Sequence, residues 1–157
     1  MPNVHPIFVH FPIALWPTAL LLFALGLLRH EEQLFRMGCM ILYLGTASAL
    51  LALATGFWAS QELGHDVPGH DLVHVHRNWM IAATSLGVIT TLAAVAVRRQ
   101  RGRPWRWVIT GLLLVTVVLT ILGGDRGARL VFHYGIGTAG ESDPALQSRH
   151  PPGPESR

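Results

Sequence analysis

The sequence predicts an all-α integral membrane protein, a bundle of four antiparallel transmembrane helices, on three observations. Half of the 157 residues are hydrophobic and only 13% are charged, about half the charged share usual for a soluble domain. Four apolar runs, Ile7 to Leu28, Met37 to Trp58, Trp79 to Val97 and Trp107 to Leu122, approach the length needed to cross roughly 30 Å of hydrocarbon at about 1.5 Å of helical rise per residue. Trp58, Trp79, Trp105 and Trp107 stand at the edges of those runs, where amphipathic rings anchor a helix at headgroup level.

The first run follows Met1-Pro2-Asn3-Val4-His5, which offers neither a positive region nor a small-residue cleavage site; it reads as a retained span. Pro12 and Pro17 remove backbone donors from it, and a bend is expected near its outer end. The second run carries small residues four apart, Gly45 with Ala49, Ser48 with Ala52, and Ala52 with Gly56, which let helices approach closely in lipid. The connections Arg29 to Arg36 and Arg98 to Arg106 are short and make their flanking helices antiparallel neighbours. Together they hold seven arginines, which places them in the cytoplasm and both termini on the outer, periplasmic side. After the fourth run, residues 123–137 contain too few apolar side chains to span and are expected at the outer interface. Residues 138–157, rich in Gly, Ser and Pro, read as a disordered tail, leaving 1–137 as the transmembrane domain. No convincing internal repeat emerges from the sequence.

All twelve basic residues are arginine and the calculated pI is near 10, a balance that raises the question of nucleic acid. Their distribution argues against it, because they sit at the ends of apolar runs and form no basic stripe interleaved with aromatics. The single cysteine, Cys39, lies inside an apolar run and supports neither a disulfide framework nor a paired-cysteine metal site. There is no Walker-type glycine loop, nucleophile elbow or His-Glu-x-x-His pattern. The spans also lack acidic residues to relay protons or counter a cation, which removes the usual parts of a proton-coupled transporter or ion channel. A redox carrier or a passive subunit remains, more simply than an enzyme.

Nine histidines are many for so small a membrane protein, and the topology puts seven on one side. His5 and His10 fall at the outer end of the first helix, His65, His70, His74 and His76 in the outer loop and the start of the third, and His133 beyond the fourth. His65, His70 and the tail residue His150 read most simply as polar residues outside the membrane. His10 differs, because it lies about one turn inside the apolar run, where an ionisable side chain is costly.

Two chemistries fit imidazoles clustered without cysteine. One is a b-type haem held by histidines from different helices of a bundle. Helices one and three are diagonal in an up-and-down bundle, so His10 is expected to face His74 or His76, with Gly56 leaving room for a flat ring. Arg77, Arg126 and Arg129 lie at the same level and suit haem carboxylates, or equally serve as lipid-headgroup anchors. The other is a zinc or copper site in the outer loop, where His70 and His74 share a helix face with Asp66 four residues before.

His5-Pro6-Ile7-Phe8-Val9-His10-Phe11-Pro12-Ile13-Ala14-Leu15 resembles the opening His-Pro-x-x-Val-His-Phe-Pro-Ile-Ala-Leu of the bacterial four-helix membrane family catalogued as domain of unknown function 2231. Thr55-Gly56 is similar to its Thr-Gly at the end of helix two, and His74-Val75-His76-Arg77-Asn78 to its His-x-x-x-Asn at the start of helix three. Gly123-Gly124 through Leu130-Val131-Phe132-His133-Tyr134-Gly135-Ile136-Gly137 resembles its closing motif. There Tyr134 stands between histidine and glycine, and three extra residues follow the glycine pair. The resemblance covers nearly the whole chain except the tail. It implies a four-helix membrane architecture, matches His5, His10, His74 and His133 to family histidines, four that could serve two haems, and leaves His76 outside the pattern as a competitor to His74. Members joined or neighboured to redox proteins agree with a haem.

The expectation is a small haem-b-binding subunit of the bacterial inner membrane, carrying electrons near the periplasmic face within or beside a larger redox complex. Its partners would be the lipid bilayer and other membrane or periplasmic redox proteins. The alternatives are a cofactor-free structural or accessory subunit and a periplasmic-side zinc- or copper-binding membrane protein.

Overall fold

The computed structural model describes residues 5–62, 70–97 and 103–134. They form four helices: α1, His5–Leu28; α2, Glu32–Glu62; α3, His70–Val97; and α4, Arg103–Tyr134. All four are long and apolar enough to cross a membrane. The helices exceed the apolar runs mainly at their polar ends, and α4 continues as helix through Gly123 and Gly124 to Tyr134 without stopping at the glycine pair. Their outward surface carries large apolar side chains, Leu21, Leu44, Ile89 and Ile121 among them. Apolar side chains exposed on all four helices suit a lipid surrounding.

The α1–α2 turn is closed by local chemistry. The Glu31 N–H reaches back to the Gly26 carbonyl at 3.0 Å, the long bond of a Schellman cap, and His30 takes the left-handed conformation at φ 60° where glycine is the usual occupant. The His30 Nδ1–H helps by donating to the Leu27 carbonyl at 3.0 Å. Glu32 then opens α2 with the negative charge that a helix N-terminus favours.

α1 packs on α2 and α4, and α3 on the same two helices, with the largest interfaces inside the α1–α2 and α3–α4 hairpins. Aromatic rings lie against glycines. A Cβ added to Gly38 would stand 2.6 Å from the Phe23 ring, one at Gly45 2.9 Å from the Trp16 indole, and one at Gly87 2.6 Å from the same indole. Trp16, 2% exposed, is therefore held between α2 and α3. It donates to Thr46 Oγ1 at 3.3 Å, and Thr46 bonds Thr91 of α3 at 2.8 Å.

Burial exposes a relation the sequence conceals. Along α1 the buried positions Pro12, Trp16, Ala19 and Phe23 are matched, 71 residues later (16 to 87, for example), by buried Ala83, Gly87, Thr90 and Ala94 of α3. Along α2 the buried Gly38, Leu42, Gly45, Thr46, Ala49 and Ala52 are matched at the same step by buried Ile109, Leu113, Thr116, Val117, Thr120 and Gly123 of α4. The two helical hairpins thus share much of one burial spacing, a relation not anticipated where no convincing repeat emerged from the sequence. The sequence hides it because glycine faces tryptophan and threonine stands for glycine at matched sites, so that spacing is kept and residue type is not. Trp16 touches its own counterpart, Gly87, and hence lies beside the axis relating the halves.

Candidate functional site

The end of the bundle where α1 begins and α2 ends gathers the predicted site residues, and we call it the histidine end. His5, in the first turn of α1, is half-buried against α2. Its Nδ1 lies 3.2 Å from Thr55 Oγ1. Because the Thr55 hydroxyl is itself directed to the Leu51 and Ala52 carbonyls, each at 3.0 Å, it receives the His5 N–H. The ring also lies on Gly56, where an added Cβ would meet Cε1 at 2.9 Å. The flat group for which Gly56 makes room is thus the His5 imidazole.

His76 repeats this arrangement on the other hairpin. Its Nδ1–H donates to the Gly123 carbonyl of α4 at 2.8 Å, and its ring rests on Gly127, whose added Cβ would stand 2.8 Å from Cε1. From His5 to His76 and from Gly56 to Gly127 the step is again 71 residues; the two histidine–glycine cradles are one feature present twice. A carbonyl can only accept, so His76 is fixed with its proton on Nδ1, and its Nε2 presents a lone pair.

The remaining candidates separate clearly. His10, expected to face the core, lies exposed on the outer side of α1 with its Nδ1–H on the Pro6 carbonyl. Depth in the span fixes a residue's level but not its direction around the helix, and five residues rotate His10 well away from the side that His5 occupies. His74 receives Arg77 Nη2–H at Nδ1, 2.8 Å, so its proton belongs on Nε2, the opposite tautomer to His76. His133 is exposed in the last turn of α4, where a basic group complements the helix dipole. His70 opens α3, but its side chain, like all of His65 and Asp66, lies outside the described residues, and so does the loop metal site. Among the described residues no three His, Cys, Asp or Glu side chains converge as metal ligands.

The arginines are held by aromatics and backbone. Arg77 lies over the Phe57 ring at 5.8 Å and Arg126 over the Trp79 ring at 5.0 Å, cation–π contacts that bind α3 to its two neighbours. Arg126 also donates to the Leu122 carbonyl at 2.6 Å. Arg129 pairs with Asp125 at 3.0 Å, and Arg126 approaches the same carboxylate at 3.9 Å. Sequence reasoning named Thr55 and Gly123 only within the family motifs and gave Gly127 no role. The available signal was the four-residue spacing of Gly123 and Gly127, a small-xxx-small face.

Fold and site together define a multi-pass helical membrane protein with a duplicated histidine–glycine contact at one end. The chain belongs to the family described as "predicted membrane protein (DUF2231)", whose model matches residues 1–140. Neither curated proteins nor solved structures give a match.

Proposed function

We propose that the protein is a small electron-carrying membrane subunit in which His5 and His76 hold a b-type haem at the histidine end. The observation that carries this reading is the equivalence of the two cradles. Axial ligation of one iron takes a nitrogen from each of two imidazoles, and the two hairpins supply His5 and His76, each anchored on the other helix of its own hairpin. The Gly123 carbonyl does for His76 what an outer partner does for a metal-bound imidazole: it fixes the ring and the tautomer and raises the basicity of Nε2. When bound, haem would supply the one-electron chemistry; the chain supplies ligands, a buried apolar core beneath them, and Arg77 as a cation for a carboxylate. His74 does not fit as a ligand while Arg77 occupies its Nδ1.

The seven arginines of the two short connections support a cytoplasmic location for that end of the bundle, in the bacterial inner membrane, with the histidine end in the periplasm. There electrons would pass to or from periplasmic or membrane redox partners. The test is a reduced-minus-oxidised spectrum of detergent-purified protein expressed with ample haem. A Soret band that disappears in H5A and H76A is expected; its absence from the wild-type protein excludes the carrier, and its persistence in the double variant excludes His5 and His76 as the ligands.

A second reading, a cofactor-free accessory subunit, draws on the complete pairing of the interior: among the described residues no buried side-chain nitrogen or oxygen lacks a partner. It expects no iron on elemental analysis of the same sample and co-purification with a larger assembly.

A further inference from the structure

We propose that the outer face of α1 at His10 binds the headgroup of a membrane-soluble hydroquinone, one hydroxyl of which donates to His10 Nε2. The starting point is cost. Ionisable side chains within spans almost always face the bundle interior, yet His10 is exposed on a helix whose surroundings are lipid. The fold does not require it, for the equivalent position of the other hairpin, 71 residues on from 10 to 81, is Ile81.

The polarity of the site selects the ligand. The His10 Nδ1–H is committed to the Pro6 carbonyl, so the neutral ring offers an acceptor outward at Nε2. A second acceptor lies one turn further along. Pro17 has no N–H, so the Ile13 carbonyl loses its partner four residues on. Ile13 and Pro17 are both exposed, as His10 is, and residues 10, 13 and 17 share one helix face. The matched position of the other hairpin is Val88, which keeps its N–H. The face therefore presents the His10 acceptor, one turn from a carbonyl that has no N–H four residues on, beside the exposed Phe11 ring. A flat molecule with hydroxyl donors complements it; a quinone, which has only acceptors, does not. Choosing a hydroquinone among phenols rests on the electron-carrier reading above, for which a hydroquinone is a donor that reaches this face through the lipid.

The experiment measures equilibrium binding of radiolabelled decylubiquinol, kept reduced, to the full chain in nanodiscs, with haem content assayed on the same samples. Saturable binding is expected, weakened at least tenfold in H10F and retained within about threefold in H10Q, whose amide oxygen still accepts. The dimethyl ether of the same hydroquinone, which has no donor, is expected to bind at least tenfold more weakly. Equal binding by H10F, equal binding of the ether, or no saturable binding overturns the proposal. So does photo-cross-linking from position 10 to another protein without ubiquinol binding, which assigns the face to a partner helix. Ubiquinol bound to protein that never takes up haem overturns the carrier alone, and haem without ubiquinol overturns this site alone.

Discussion

His76 of α3 donates its Nδ1–H to the Gly123 carbonyl of α4 across 2.8 Å, and this bond sets both a tautomer and a helix contact. Interhelical hydrogen bonds of this kind in membranes average about 0.6 kcal/mol and reach about 1.7. H76A is expected to lower stability by about 1–2 kcal/mol once the lost ring packing is included, and to abolish haem uptake. H74A is expected to leave haem uptake intact. Denaturant titration in mixed micelles and the visible spectrum read the two effects separately.

The neighbouring glycines Gly124 and Gly127 give a matched comparison. A methyl group at Gly127 would stand 2.8 Å from the His76 ring, whereas nothing lies within 4 Å of one at Gly124. G127A is therefore expected to displace the imidazole and reduce haem content at least severalfold, and G124A to leave it unchanged. Equal spectra for the two variants would remove the role assigned to the cradle.

At mid-membrane the same logic applies to stability. G87A drives a methyl group into the Trp16 indole at 2.6 Å, and overpacking of this kind costs about 1–3 kcal/mol. Gly111 has open space around its Cβ direction, so G111A gains up to about 1 kcal/mol from reduced backbone freedom in the unfolded chain. Opposite signs are expected in parallel unfolding titrations.

His30 stands at φ 60°, a conformation that costs a β-branched residue roughly 1–3 kcal/mol. H30V is expected to destabilise the α1–α2 hairpin by about that amount, while H30G stays within about 1 kcal/mol of the parent. The measurement is the unfolding midpoint in the same micelles.

Thiol labelling tests the orientation. With Cys39 replaced by alanine, single cysteines at Ser60 and Arg101 are expected to react with an impermeant reagent from opposite sides of the membrane. Labelling of the Ser60 cysteine from the cytoplasmic side and of the Arg101 cysteine from the periplasmic side would reverse the assignment of the histidine end to the periplasm, and labelling of both from one side would overturn the spanning topology.

The four helices and their antiparallel order were legible because bilayer thickness sets the length of each apolar run and arginines mark its ends. The direction of each side chain was not. α1 is apolar on every side, so no polar stripe shows which face turns inward, and His10 was chosen by depth when His5 shares the spacing of Pro12, Trp16, Ala19 and Phe23. On α3, His76 shares that spacing with Ala83, Gly87, Thr90 and Ala94, yet it falls outside the family pattern that matches His74. The cradles were half visible: Gly56 was singled out for the room it leaves, while Gly127 was hidden in a segment read as lying at the outer interface beyond the span.

Trp16 opposite Gly87 has a consequence for ancestry. Two identical hairpins meeting about an axis would place the same side chain on both sides, where two indoles collide and two hydrogens leave a hole. A core filled by one large and one minimal residue is available only to halves that differ. The present packing thus needs a fused or heteromeric pair, and a lone α1–α2 hairpin doubling with itself would have to expel Trp16 from the centre.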